Sequence, residues 1–151
     1  MEHLAIMRRS WGLTDKILRG QKTVESRWYS TKRQPWNVIK TGETVYFKDS
    51  GGPVRARARV KKVIQFSDLT LSKVRAILNE HGRALGLEKG EIPEFCGRYQ
   101  GKRYCLLIYL EDSVEIRPFE IDKTGFGMMA AWITVDDISK LKKRTGVIQS
   151  E

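Results

Sequence analysis

Gly20-Gln21-Lys22-Thr23-Val24-Glu25-Ser26-Arg27 is the stretch on which the reading of this chain turns. It sets a glycine where an amphipathic helix stops and follows it with a short strand dense in charge of both signs. Trp11, Leu13, Ile17 and Leu18 supply the helix periodicity, with Ser10 as expected N-cap and Gly20 as C-terminal stop. His3 to Arg8 reads as the strand before it, and Lys22 to Arg27 as the strand after it. Strand alternation then places Thr23, Glu25 and Arg27 on one face and Lys22, Val24 and Ser26 on the other, unless a bulge beside Gly20 turns Lys22 round.

Working outward, Thr44 to Lys48 and Val54 to Phe66 read as a hairpin across Asp49-Ser50-Gly51-Gly52. Thr70 to Glu80 carries Leu71, Val74, Ile77 and Leu78 at helical spacing and is expected to stop at Gly82, with a polar, mobile connection beyond. Tyr104 to Leu110 is an unbroken apolar run, as a central strand buried on both faces would be. Thr134 is the expected cap of a last helix, with Asp136 and Asp137 in its first turn and Lys142, Lys143 and Arg144 in its last. No repeat or low-complexity segment interrupts the 151 residues, so residues 1–151 read as a single α+β domain.

Composition narrows the partners. A net charge of +10 attracts polyanions, nucleic acid before all others. No apolar stretch reaches membrane-spanning length and no basic amphipathic helix is evident, so no membrane partner is expected. Met1 to Trp11 reads as neither signal peptide nor anchor. Cys96 and Cys105 stand nine apart, matching neither a zinc half-site nor a disulfide framework; with two histidines in the chain, no metal and no cofactor are expected. A reducing cytoplasm and a monomeric protein complete this expectation.

Gly20, Lys22, Glu25 and Arg27 spell GxKxxExR. Together with Gly42-Glu43-Thr44-Val45 entering a strand and the late Leu107-Ile108-Tyr109-Leu110 strand, they give a chain that resembles an ASCH domain, of the PUA-like superfamily, over most of its length. The resemblance implies a small, bent β-barrel flanked by helices and association with RNA. It also implies an alternative, a hydrolase like the small ASCH-type amidohydrolases acting on N4-acetylcytidine. Lys22 matches their lysine, but their threonine position holds Glu25 and Thr23 lies on another register; Glu80 is the nearest counterpart of their glutamate. A ribonuclease would instead use Lys22 on the anionic transition state with Glu25 as general base. Lys22 and Glu25 are thus catalytic candidates if the protein is an enzyme, and a binding module is the preferred reading.

Three groups of residues carry the binding chemistry. Glu25 can hold Arg27 so that its remaining donors face a phosphate or base, with Lys22 as a second anion ligand; the alternative is a structural ion pair closing the barrel mouth. Arg27→Ala separates the two, since loss of binding at unchanged melting temperature is expected in the first case alone. Trp28-Tyr29-Ser30-Thr31-Lys32-Arg33-Gln34-Pro35-Trp36 mixes rings with cations as single-strand binders do. Tyr29, Lys32 and Arg33 are its contact candidates, while Trp28 and Trp36 either line the cleft or pin the loop to the core. Arg55, Arg57, Arg59 and Lys61 alternate with Val54, Ala56, Ala58 and Val60, giving either a row of phosphate contacts or a solvated edge strand; Lys62 breaks the pattern. Thr23, Glu25 and Trp132 complete the expected cleft lining, and RNA, other single-stranded nucleic acid or a modified nucleoside is the expected ligand.

Overall fold

The computed structural model describes residues 1–127 and 129–143. Among these residues six strands form one sheet: β1 (Glu2–Met7), β2 (Val24–Tyr29), β3 (Thr44–Asp49), β4 (Val54–Phe66), β5 (Tyr104–Phe119) and β6 (Trp132–Val135). Their order is β2-β5-β4-β3-β1-β6, antiparallel except for the parallel β1/β3 pair. β4 and β5 are 13 and 16 residues long, and their ladder shifts register at three places. Each shift adds local twist, so the long pair curls and the sheet becomes a half-barrel. Three helices flank it: α1 (Leu13–Leu18), α2 (Leu71–His81) and α3 (Ile92–Tyr99).

The concave face buries Ala5, Met7, Phe47, Ala56, Ala58, Val60, Leu106 and Ile108 under α1. On the opposite face, Val24, Trp28, Cys105 and Leu107 lie beneath α2 and α3. β5 is therefore covered on both sides, with Cys105 to Ile108 fully buried, as its unbroken apolar run requires. The alternation in β4 is also as read: the even positions from Val54 to Val60 are buried, and Arg57, Arg59 and Lys61 are exposed. Lys62 breaks the pattern because the register shifts between Val60 and Lys62.

Several boundaries differ from the sequence reading. β4 is an interior strand, paired on both sides, so its charges do not guard an edge; the edges are β2 and β6. Ser10 sits inside a 3-10 turn, Arg9–Trp11, and α1 begins after Gly12, whose φ of 63° no β-carbon would favour. Gly20 does end the helix, at φ 75°. Thr70 caps α2 through Lys73 N at 3.2 Å. α2 does stop at Gly82, its C-cap, but that residue is right-handed, and a β-carbon there would stand 2.5 Å from Leu78 O and 2.6 Å from Ile92 Cδ1; close packing of α3, not chain reversal, explains this glycine. The connection expected to be mobile holds α3. Its signals were Glu88 and Glu91 in a reciprocal capping box, Pro93 at the helix start, and Ile92, Phe95 and Cys96 at i, i+3, i+4. Thr134 lies within β6 and caps nothing; Asp137 caps the 3-10 turn Ile138–Leu141 through Ser139 N at 2.9 Å. Arg144 lies outside the described residues.

β1 is pinned to its neighbours by His3, which has no exposed surface. Trp132 Nε1 donates to His3 Nδ1 at 3.2 Å, so Nδ1 is an acceptor and Nε2 carries the proton facing Glu43 Oε1 at 2.8 Å. Burial lowers the His3 pKa, with Glu43 opposing it. A neutral folded imidazole and an unfolded one of pKa about 6.5 mean that acidification protonates the unfolded chain first. Stability should fall as pH drops from about 6.5 through the lower folded pKa, with a limiting slope of about 1.4 kcal/mol per pH unit. Urea denaturation between pH 7 and pH 5 checks this: His3→Gln should flatten the slope, and a flat wild-type profile would remove the claim.

Candidate functional site

α1 and β2 are joined by a loop in which Gly20 reverses the chain and Lys22 N bonds back to Lys16 O at 3.1 Å. Lys22 is thus outside the strand, and its side chain folds onto Glu25 against simple alternation. Nζ lies 2.7 Å from Val24 O, 2.9 Å from Leu85 O and 3.1 Å from Glu25 Oε1. Three acceptors use all three ammonium protons. The other carboxylate oxygen, Glu25 Oε2, takes Arg27 Nε at 2.9 Å and Nη2 at 2.8 Å. Arg27 then reaches across the half-barrel opening: Nη1 donates to Ala131 O at 3.1 Å and Nη2 to Ile6 O at 3.4 Å, and the guanidinium rests 5.1 Å from the Trp132 ring centre. Side-chain exposures of 2%, 5% and 12% for Lys22, Glu25 and Arg27 mark a closed network.

Its electrostatics follow from that closure. Burial alone would raise the Glu25 pKa, but Lys22 and Arg27 outweigh it and hold the carboxyl below its usual range. Burial pulls the Lys22 pKa down and Glu25 opposes it. The motif stitches β2 to β1 and to the segment before β6. Of the two roles open to Glu25 and Arg27, the geometry fits the ion pair at the barrel mouth, and it gives Lys22 no donor with which to hold an anion or stabilise a transition state.

Beside this network lies a cavity of about 490 Å³, within the range of small-ligand sites. It wraps the edge of β2, touching Glu25, Ser26, Arg27, Trp28 and Tyr29, and is closed by Trp11, Phe95 and Tyr99. Trp28 stacks on Tyr99 at 4.5 Å between ring centres and 7° between planes, while its indole N–H donates to Ser26 Oγ at 2.9 Å. Arg8 stands at the rim over Trp11, 4.8 Å from the ring centre, and Arg98 lies 5.0 Å from the same ring. Burial raises the Tyr99 phenol pKa, so the group remains a neutral hydroxyl.

The remaining candidates are dispersed. Thr23 is exposed and lies outside the cavity wall. Trp132 is buried behind Arg27, and Trp36 packs edge-on against Tyr104, 5.2 Å between centres, with its indole N–H unpaired among the described residues. Neither tryptophan reaches the cavity. Lys32 and Arg33 are exposed, lying over Tyr104 and Tyr29. Arg55 is tied to Asp15 at 2.8 Å and Asp49 at 3.3 Å, which leaves Arg57, Arg59 and Lys61 as the exposed part of the stripe, on the face of β4 opposite the core. Phe95 and Tyr99 were missed because α3 was read as loop. Both cysteines are free and buried, and no cluster of three metal-ligating side chains occurs among the described residues. Nor, among those residues, is any helix long and apolar enough to cross a membrane.

No family model matches the sequence, and no curated protein matches it. Solved structures do. A crystal structure of ASCH from Zymomonas mobilis aligns over 92% of this chain and 90% of its own, with TM-score 0.66 and 17% identity. The N-terminal domain of McrB from Staphylothermus marinus aligns over 92% and 90%, with TM-score 0.59 and 8% identity.

Proposed function

Because the chain has the fold of the ASCH domain, of PUA-like type, we propose that it is a nucleic-acid-binding module whose cavity receives an unpaired base of single-stranded RNA. The observation that carries this reading is the aromatic cavity itself, formed at the barrel mouth of a protein of net charge +10. Trp11, Phe95 and the Trp28–Tyr99 pair offer the apolar surface on which bases stack, and Arg8 stands at the rim where the adjoining phosphate would lie. The GxKxxExR motif builds this mouth and leaves contact to its neighbours. Arg57, Arg59 and Lys61, with Lys32 and Arg33, would track the rest of the strand. A monomer in a reducing cytoplasm suits this role, and a modified nucleoside is the variant ligand.

Binding of short single-stranded RNA, followed by quenching of Trp11 and Trp28 at two salt concentrations, tests the proposal. Tyr99→Ala should weaken binding by about 1–3 kcal/mol, the worth of one stacked base. Arg8→Gln should make the slope of log K against log salt shallower by about 0.7, and the triple change of Arg57, Arg59 and Lys61 to Gln by about 2. An unchanged slope in the triple variant would reduce the stripe to surface charge. Absence of quenching by RNA and by nucleosides at low salt would overturn the reading.

A further inference from the structure

β2 is an edge strand, and its ladder with β5 decides which of its peptide groups are left over. Leu110 N donates to Thr23 O at 2.9 Å, so the Thr23 carbonyl faces β5, while its N–H turns aside to Ala84 O at 2.8 Å. The antiparallel pairing gives Glu25, Arg27 and Tyr29 the same direction and points the N–H and C=O of Val24, Ser26 and Trp28 the other way. At Val24 the outward groups are met: N–H bonds to Ala84 O at 3.0 Å, and C=O accepts Lys22 Nζ at 2.7 Å. At Ser26 and Trp28 no described residue meets them, and both residues line the cavity. Ser26 Oγ accepts the Trp28 indole and keeps its own proton to donate. The Tyr99 hydroxyl, in the same wall, has no hydrogen-bond partner among the described residues.

We propose that this open edge, the main-chain N–H and C=O of Ser26 and Trp28 flanked by the Ser26 and Tyr99 hydroxyls, is the recognition element of the cavity and reads the hydrogen-bonding edge of a planar nucleobase. The inference rests on the base-binding reading above and adds the groups that discriminate. Unpaired strand edges are templates for further hydrogen bonding, and an aromatic enclosure makes unmet donors and acceptors costly unless a ligand meets them. Two outward residues, stopped at one end by the Ala84 and Lys22 contacts and at the other by the loop from Ser30, are too short a run for an added peptide strand. A flat heterocycle fits that length. Lying in the plane of the sheet edge, it has Phe95 and Tyr99 toward one face and Met7 and Ala131 toward the other. Lys22, Glu25 and Arg27 are engaged in their own network, and Arg8 and Lys123 stand elsewhere in the lining, so the groups offered by the strand edge itself are neutral, which suits an uncharged ring edge better than a phosphate.

The full chain, labelled with ¹⁵N, is titrated with the four nucleosides, with inorganic phosphate, with a short single-stranded RNA, and with the tightest nucleoside methylated at its Watson–Crick ring nitrogen. The Ser26 and Trp28 amide protons should move downfield with the nucleoside and exchange at least ~tenfold more slowly, and the methylated analogue should bind at least ~tenfold more weakly. Nucleoside binding that leaves both amides unmoved, with the methylated analogue bound as tightly, would overturn the edge proposal and leave base binding standing. Phosphate alone reproducing the shifts would overturn it too, as would RNA binding that bypasses these amides. If neither nucleoside nor RNA binds, this inference and the proposed function fall together.

Discussion

Glu25→Ala is expected to lower the unfolding free energy by about 3–5 kcal/mol, the usual cost of stranding buried charge. Glu25 is the shared anion of two cations, and its removal leaves the Lys22 ammonium with two carbonyls and the Arg27 guanidinium with Ala131 O and Ile6 O. Neither set supplies a countercharge, and Lys22, 2% exposed, cannot reach bulk water without opening the mouth. Since small domains hold about 5–15 kcal/mol in total, the variant should melt far below wild type. Arg27→Ala should also lower the melting temperature, reversing the expectation drawn from sequence, because Arg27 ties β2 to the far side of the half-barrel. The pH dependence has a definite sign: with its folded pKa depressed, Glu25 contributes stability above the unfolded value of about 4.3, and that contribution is lost as pH falls through the folded value. Urea denaturation of both variants at pH 7 is the check. A Glu25→Ala loss within about 0.5 kcal/mol, typical of surface changes, would mean that the network is solvated and idle.

Trp28→Ala should cost about 3–5 kcal/mol, as truncation of a buried tryptophan does, and should also abolish ligand binding. Its ring is 7% exposed and belongs to the cluster that holds α2 and α3 on the sheet. Without it Tyr99 loses its stacking partner, itself worth about 0.5–1.5 kcal/mol, and the cavity loses the wall that α3 and β2 share. Trp28→Phe keeps a ring against Tyr99 and forfeits the bond to Ser26 Oγ, so it should retain most of the stability. Thermal melts and near-ultraviolet circular dichroism of the two variants, with RNA titration of each, separate the roles. A Trp28→Ala protein that melts like wild type and still binds RNA would show that the stack is decoration.

Local periodicity was a good guide wherever one strand settled its own environment. Alternation in Val54 to Lys61 is imposed by the pleat, and the apolar run at Tyr104 to Leu110 had to be covered on both faces; each could be read without knowing the neighbours. Gly20 ending a helix is equally local. The resemblance to the ASCH fold drew on the same features. Reading failed where a local signal had two physical causes. Gly82 stands where α2 stops, as its position suggests, but it is glycine because the space is needed for Ile92; Thr134, a competent cap, is used in a strand while Asp137 does the capping.

The sequence by itself determined β1 to β5, with β5 cut short at Leu110, the helix after β1, the α+β class and the pairing of Glu25 with Arg27; β6 and the turn of Lys22 onto Glu25 came from the tertiary structure. Only the tertiary structure decided whether those charges were free. Lys22 is satisfied by Leu85, 63 residues away, and Arg27 by Ala131, 104 residues away, and no pattern within eight residues can foretell a carbonyl delivered from such a distance. The open edge of β2 is decided in the same way, because a peptide group is spare or spent according to which strand lies beside it.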